Sequence, residues 1–596
     1  MIDKGDFTAQ PRLIFIAAIA LVIGALCALV AVVLLWLIGF FTNVFFYHQL
    51  AVTFRSPAEN QLGAGVLVVP MVGGLIIGLM ARYGSERIRG HGIPEAMEAI
   101  LIGQSRMQPK VALLKPLSSA ISIGSGGPFG AEGPIIMTGG AVGSLIAQAF
   151  HLSAAERKTL LVAGAAAGMS ATFAAPVAAA MLAVELLLFE WKPRSVIPVA
   201  LASAVAAAIR PHLVGAGPLF PVPAHAALGG AGLLSAVAVG LAAGLLAAGL
   251  TAAVYAAEDA FQRLPIHWMW WPALGGLVVG VGGLIQPHAL GVGYDTIAEL
   301  LRGEFVPRAL CSLILVKGTI WAIALGSGTS GGVLAPLLIM GSALGALEAL
   351  VLPGGSHAIW PLVSMAAVLG GTMRSPFTSV IFALELTQDI NALLPCLIAS
   401  MVAHAFTVLV MKRSILTEKV ARRGFHLSRE YSVDPLELMT VKDVMSRGVV
   451  TLPHSLPVKQ VLDQYFAEAS GRTHQGYPVV DGRGRLIGIV TRSMLLEPSL
   501  FESINALVVA DILEREPVTA YAEDSCRSAA EKMAQAGVGR LPVVAAEDPG
   551  QLVGIVTRSD LLKPRARSVD EEQRRERFFG PGVAVRRLSG AASIGS

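Results

Sequence analysis

The sequence predicts an all-α polytopic membrane protein built from two repeated halves, followed by an α/β module that is itself duplicated. Three observations predict it. Of 596 residues, 54% are hydrophobic and 14% charged, where soluble domains run near a quarter charged. Charges are sparse as far as Val410 and recur every few residues afterwards. Each part also repeats itself internally. The net charge of +4 is small for this length and the basic residues are scattered, which gives no case for nucleic-acid binding.

Residues 1–12 read as a cytoplasmic N-terminal tail. Residues 13–47 then run without a charged side chain. As one helix they would reach roughly 50 Å, beyond a hydrocarbon core of about 30 Å, so the helix must tilt or continue past the core. No small-residue cleavage site follows, so this is a retained first helix rather than a signal peptide.

The membrane part spans 13–424, with halves near 13–210 and 231–412 joined by "RPHLVGAGPLFPVPAHAALGG". "GSGGPFGAEGPIIMTGGAVG" (124–143) lies over "GSGTSGGVLAPLLIMGSALG" (326–345) at an offset of 202 residues. "FAAPVAAAMLAVEL" (173–186) lies over "MRSPFTSVIFALEL" (373–386) at an offset of 200, pairing Pro176 with Pro376 and Glu185 with Glu385. Duplicated halves with Gly/Pro-broken segments at matching places are the pattern of secondary transporters. Close helix packing is the plainer use of the same residues.

Lys412, Arg413, Lys419, Arg422 and Arg423 follow the last apolar segment and fit the positive-inside rule if the next part is cytoplasmic, as is expected; Arg82, Arg87 and Arg89 would then mark another cytoplasmic loop. Cys27, Cys311, Cys396 and Cys526 are too widely spaced for a disulfide framework or a zinc site. After a linker at 425–440, "YPVVDGRGRLIGIVTRSMLL" (477–496) matches "LPVVAAEDPGQLVGIVTRSDLL" (541–562). Upstream of each stand a short helix, a strand and an amphipathic helix. This alternation resembles a pair of CBS domains, at 441–500 and 507–564, modules that often bind adenine nucleotides. The tail at 565–596 is charged, then rich in small residues, and reads as mobile.

Three segments share one design, a Gly-rich break before a Pro-led apolar helix: "GHGIPEAMEAI" (90–100), "GAEGPIIM" (130–137) and "GGVLAPLLIM" (331–340). Pro suits a helix start because its missing N–H would have been unpaired anyway. What results is a helix N-terminus with free N–H groups and a partial positive charge, which an anion satisfies inside a membrane. Several such ends make an anion site without a full positive charge, so binding stays weak enough for passage. Glu132 is the only charged residue between Lys115 and Glu156. Ionised, it can take the anion's place; protonated, it can swing away. Burial opposes its charge and the helix end supports it. An ordinary helix-start acid is the plainer reading, and it suits Glu95 well.

These segments resemble the ClC family of chloride channels and proton-coupled chloride exchangers. "GHGIP" is similar to that family's GSGIP, "GAEGP" to its G(K/R)EGP and "GSGTSGGVLAP" to its GSGxxGGxFxP. The resemblance implies inverted repeats of tilted helices and a homodimer with one pore per subunit. It places Glu132 on the gating glutamate, and His91, Gly92, Ile93, Gly130, Ala131, Val333, Leu334 and Leu416 along the anion path. His91 stands for the usual serine, Leu416 for the usual pore tyrosine and Leu334 for a phenylalanine. Both hydroxyls that normally face the central anion are therefore absent. A neutral His91 could still donate an N–H; filling space is its plainer role. Leu186 stands where many exchangers carry a second acid, which weakens the usual route of proton coupling. In the second CBS repeat the resemblance implies that Asp560 binds ribose hydroxyls and that Thr557 lies near the phosphates, with Arg558 also among the nucleotide-binding residues. Met494 takes the place of Asp560 in the first repeat, so at most one nucleotide site per pair is expected.

The function expected is passive or proton-coupled anion transport across the cell membrane, most simply of chloride, with nitrate or fluoride exchange as the alternative. An enzyme is not expected: no His is followed by Glu, which removes an HExxH protease, and no GK[ST] completes a phosphate-binding loop. No resident cofactor is expected beyond an adenine nucleotide at the CBS pair. A CBS-regulated cation transporter would need convergent carboxylates, where this sequence offers helix N-termini.

Overall fold

Helix boundaries in the apolar part follow its prolines and glycines. Prolines stand in the first two positions of seven helices, where the locked φ suits a helix start and no N–H is wasted. The computed structural model describes residues 11–223, 225, 227–353, 359–424, 435–466, 474–497, 504–513 and 516–564. The chain divides into two units between Gly424 and Phe425.

The first half of the membrane unit holds α1 (Arg12–Thr42), α2 (Val68–Tyr83), α3 (Ile93–Leu101), α4 (Pro109–Gly124), α5 (Glu132–Gln148), α6 (Ala154–Phe173), α7 (Pro176–Leu182) and α8 (Pro193–Leu213). The second half answers with α9 (Gly230–Gln262), α10 (Trp271–Ile285), α11 (Tyr294–Arg302), α12 (Pro307–Gly326), α13 (Leu334–Glu348), α14 (Ile359–Met373), α15 (Pro376–Thr387) and α16 (Leu393–Val410). The short α17 (Ile415–Arg422) follows. Among the described residues seven helical stretches are long and apolar enough to cross a membrane, the first running from Arg12 to Tyr47. Several others, α13 and α14 among them, are apolar but shorter.

The halves are related by an approximate two-fold axis, and the reciprocity of their contacts shows it. Gly130 and Gly332, repeat equivalents, pair with each other as an antiparallel bridge. A Cβ on Gly74 of α2 would come within 2.1 Å of the Pro272 carbonyl oxygen, and one on Gly276 of α10 within 2.2 Å of that of Pro70. Contacts in which i meets j and j meets i are what a two-fold generates. Glu185 and Glu385 do the same. The Glu385 carboxylate accepts from the N–H groups of Val177 (2.9 Å) and Ala178 (2.8 Å), at the start of α7. The Glu185 carboxylate accepts from Thr378 N–H (2.9 Å) and its hydroxyl (2.5 Å), at the start of α15. Each acid therefore satisfies orphan donors of the opposite half. One irregularity remains. From proline to the left-handed residue that ends it, the first-half segment is one residue longer than the second, Phe189 answering Gln388. The extra residue is absorbed as a π-helical turn, Ala183–Leu188.

The second unit contains two copies of one three-stranded sheet. Strands β1 (Leu452–Pro453), β2 (Gly476–Val480) and β3 (Leu486–Thr491) form the first, and β4 (Ala520–Tyr521), β5 (Arg540–Val544) and β6 (Leu552–Thr557) the second. In each, the first strand is parallel to the second and the second antiparallel to the third. The cores interleave. Val441 and Val444, which precede the first sheet, pack with Leu541, Val543 and Val556 of the second. Val509 and Ile512, which precede the second sheet, pack with Val461, Val479 and Val490 of the first. Neither copy closes its core without a helix from the other.

Candidate anion pathway

The starts of α3, α5 and α13 meet inside the membrane unit. Gly92 precedes α3 with φ of 93°, a conformation that glycine adopts without strain, and a Cβ there would come within 2.4 Å of the Gly133 carbonyl oxygen. The loops before α5 and α13 are joined by Gly130 and Gly332, whose N–H and C=O groups exchange hydrogen bonds of 3.3 and 2.9 Å. Pro134 and Pro336 fall on the third residue of their helices, not the first, which leaves the two N–H groups ahead of each as the helix opening.

At α13 that opening is filled. Oε1 of Glu132 accepts from Leu334 N–H, in a short hydrogen bond, and from Ala335 N–H at 3.3 Å. Glu132 is fully buried, and its Oε2 has no hydrogen-bond partner among the described residues. The acid of the first half thus sits on the helix end of the second, as an anion would. Ala131, Val333 and Leu334 are buried beside it.

The other residues expected along the path fall at two further helix starts. His91 is buried, its Nδ1 without a partner among the described residues, and Glu95, Lys115, Lys419 and Arg423 lie within electrostatic reach. The Gly92 N–H donates to Glu95 Oε2 at 2.8 Å, so Glu95 caps its own helix and that donor is committed. Gly130 N–H is committed likewise, to Gly332. Among the residues named from sequence, these two contribute packing and shape in this state rather than donors. Ile93 is buried at the start of α3. Leu416 is buried near the start of α17, a helix held by a Ser414–Thr417 capping box and packed against α3.

A family model described as voltage gated chloride channel matches residues 73–408, more than half of the chain. The chain belongs to the voltage-gated chloride channel (ClC) family. A CBS model matches residues 441–499 and 509–566. Among curated ClC relatives, the putative chloride channel protein ClcB-like of Ralstonia nicotianae is 29% identical over 370 residues, 60% of this chain and 85% of that one. The voltage-gated ClC-type chloride channel ClcB of Escherichia coli O81 is 30% identical over 369 residues, 60% of this chain and 87% of that one. A slow cyanobacterial Cl−/H+ antiporter superposes with a TM-score of 0.60 at 20% identity, covering 70% of this chain and 99% of that one. A eukaryotic CLC transporter gives 0.61 at 19%, covering 92% and 98%. These structural likenesses are of fold.

In the CBS part of this ClC chain, Asp560 is already engaged. Its Oδ2 accepts from Thr557 N–H (2.9 Å) and hydroxyl (2.7 Å), and its Oδ1 pairs with Lys563 Nζ at 2.6 Å. Burial raises its carboxyl, but the bonds from Lys563 and Thr557 outweigh it and hold it below the usual carboxylate range. The Arg558 guanidinium donates to the Val538 carbonyl at 3.3 Å. In the first copy Met494 N–H donates to Thr491 Oγ1 at 3.4 Å, the same turn without the acid.

Sequence reasoning missed a fourth broken segment. "GVGYD" (291–295) repeats "GHGIP" (90–94) at an offset of 201, and α11 begins there after Gly293 with φ of 73°. The two matched glycines were the available signal. It also missed Tyr255 of α9, whose hydroxyl donates to the Ile415 carbonyl beside Leu416; one tyrosine in an alanine-rich helix gives no such signal.

Proposed function

We propose that this protein is a ClC-type anion permease, chloride the expected anion, in which Glu132 is the gate. One observation carries the reading: a buried carboxylate from one half accepts two backbone N–H bonds at a helix start of the other. That is the place and the chemistry an anion would occupy. His91, Ile93, Ala131, Val333, Leu334 and Leu416 are the proposed walls of the path. Protonation of Glu132 weakens its hold on the α13 amides and lets an anion replace it. In liposomes, Glu132→Gln should carry anions at a rate that no longer depends on pH. Flux as pH-sensitive as that of the wild type would refute the gating role.

Leu186, buried and apolar, favours a channel-like mode over proton exchange. A reversal potential set by the chloride gradient and unmoved by a pH gradient is the expected result; a shift with pH establishes exchange. The basic residues ahead of the CBS pair support a cytoplasmic location for it, and protease accessibility in right-side-out vesicles checks that. The family resemblance supports a homodimer, to be tested by cross-linking in membranes. An adenine nucleotide at the CBS pair requires Lys563 to release Asp560. Calorimetry of the full chain with ATP, wild type against Asp560→Ala, tests this; heat absent from both removes the nucleotide.

A further inference from the structure

Like Glu132 Oε2 and His91 Nδ1, the hydroxyl of Tyr294 is a buried polar atom with no hydrogen-bond partner among the described residues. An unpaired polar group in an apolar interior is costly and calls for a reason. The two residues lie within electrostatic reach of each other. Tyr294 opens α11, which packs on α13, the helix whose start Glu132 occupies. Its ring is fixed by Phe54, Phe173 and Phe220, with centroids 6.0, 6.2 and 6.0 Å away. Phe220 comes from the connector between the halves and is tied down by its N–H to the Leu386 carbonyl at 2.9 Å. The hydroxyl is therefore held in place by rings that leave it nothing to bond.

We propose that the Tyr294 hydroxyl receives the Glu132 side chain when it leaves the start of α13, which makes Tyr294 a positioning residue for the open state. This rests on the permease reading and deepens it. A neutral carboxyl has one O–H to donate and one C=O to accept, and a phenol can complete either bond without moving a proton. The phenylalanine rings around Tyr294 offer a carboxylate no hydrogen-bond donor, and an apolar surrounding opposes charge, so the receiving place favours the protonated form. Repeat symmetry points the same way. Gly291 and Gly293 match Gly90 and Gly92, which puts Tyr294 on Ile93 and Glu132 on Leu334. Each is a polar exception to the repeat, and the two lie within electrostatic reach. Of the other titratable groups nearby, Asp295 follows Tyr294 in the first turn of α11, Lys317 is committed, and the rest lie around the start of α3. Lys317 Nζ donates to the carbonyls of Ala289 (3.1 Å) and Gly291 (3.2 Å), and Asp295 lies within its electrostatic reach. His91 and Glu95 stand at the start of α3, and Lys115 of α4 donates to the Ile88 and Gly90 carbonyls ahead of it.

Tyr294→Phe keeps the ring and removes only the hydroxyl. In liposomes, its anion flux should fall about three- to tenfold, with the activation midpoint moved about half to one unit toward lower pH, as loss of one hydrogen bond in the open state requires. In a Glu132→Ala background there is no side chain to receive, and the same substitution should leave flux unchanged. An equal loss in both backgrounds would mean packing only and overturn the proposal, as would unchanged flux with Glu132 intact. A wild-type protein that carries no anion overturns the permease reading and this proposal with it, a result visible in the wild-type trace alone.

Discussion

The two halves of the membrane unit agree in the polar groups that hold helices together and disagree where an anion would pass. Lys115 and Lys317, fully buried repeat equivalents, each donate to two loop carbonyls: Ile88 and Gly90 in one half, Ala289 and Gly291 in the other. Glu185 and Glu385 cap each other's neighbouring helices. Against these stand Glu132 with Leu334, Tyr294 with Ile93, and His91 with Val292. A residue kept on both sides of a two-fold serves the fold that both halves need. On the proposed function, these one-sided residues serve the single path that the two halves enclose.

The largest test of this division is at the lysines. Lys115→Met and Lys317→Met each remove the lysine's bonds to two buried carbonyls, of which Gly90 C=O keeps a long bond from Gly331 N–H at 3.4 Å; at about 1–3 kcal/mol per carbonyl, a loss of roughly 2–6 kcal/mol is expected from either. Thermal unfolding in detergent should show matched losses. A tolerated change at one lysine with a lost flux would move that residue from scaffold to path.

The glutamate caps come next. Glu185→Gln and Glu385→Gln each weaken a charge-assisted bond to a helix start, with losses of about 1–2 kcal/mol expected and again alike. Glu132→Leu, which makes the first half resemble the second, should cost less stability than either cap, because anions from solution can take up the Leu334 and Ala335 amides. Its effect should appear in flux, which loses its pH dependence. A Glu132→Leu protein less stable than the cap variants would mean that Glu132 is scaffold after all.

Much of this was legible in sequence because duplication writes the scaffold twice. The matched prolines and glycines marked the breaks, and Glu185 over Glu385 marked a structural acid. Which helix each acid caps was not legible: it depends on the two-fold, which brings the start of α15 to Glu185 across nearly two hundred residues. The same operation carries Glu132 to Leu334 rather than to its own helix start alone. Gly92 and Gly130 read as anion contacts because their loops have that form; Glu95 and Gly332 satisfy their N–H groups first, and spacing alone does not reveal that competition. In the CBS part the sheets followed the hydrophobic alternation, while the exchange of Val441 and Val509 between cores is a tertiary fact.

The smallest effect separates the two CBS copies. Thr557 and Asp560 build the turn that Thr491 and Met494 build without an acid, so Asp560 adds only its bonds to Thr557 and Lys563. Its carboxyl is held below the unfolded value of about 3.9. The stabilisation is therefore present above that pH and lost as pH falls through the lower, folded value. Because solvent screens the Lys563 pair, Asp560→Asn should cost no more than about 1 kcal/mol at pH 7. The gap between the two proteins should close below about pH 4. Hydrogen exchange over residues 552–562 checks this locally, with 486–496 as the internal control. A gap that persists at low pH would show that the acid's shape, rather than its charge, secures the turn, and the difference between the copies would then be one of packing.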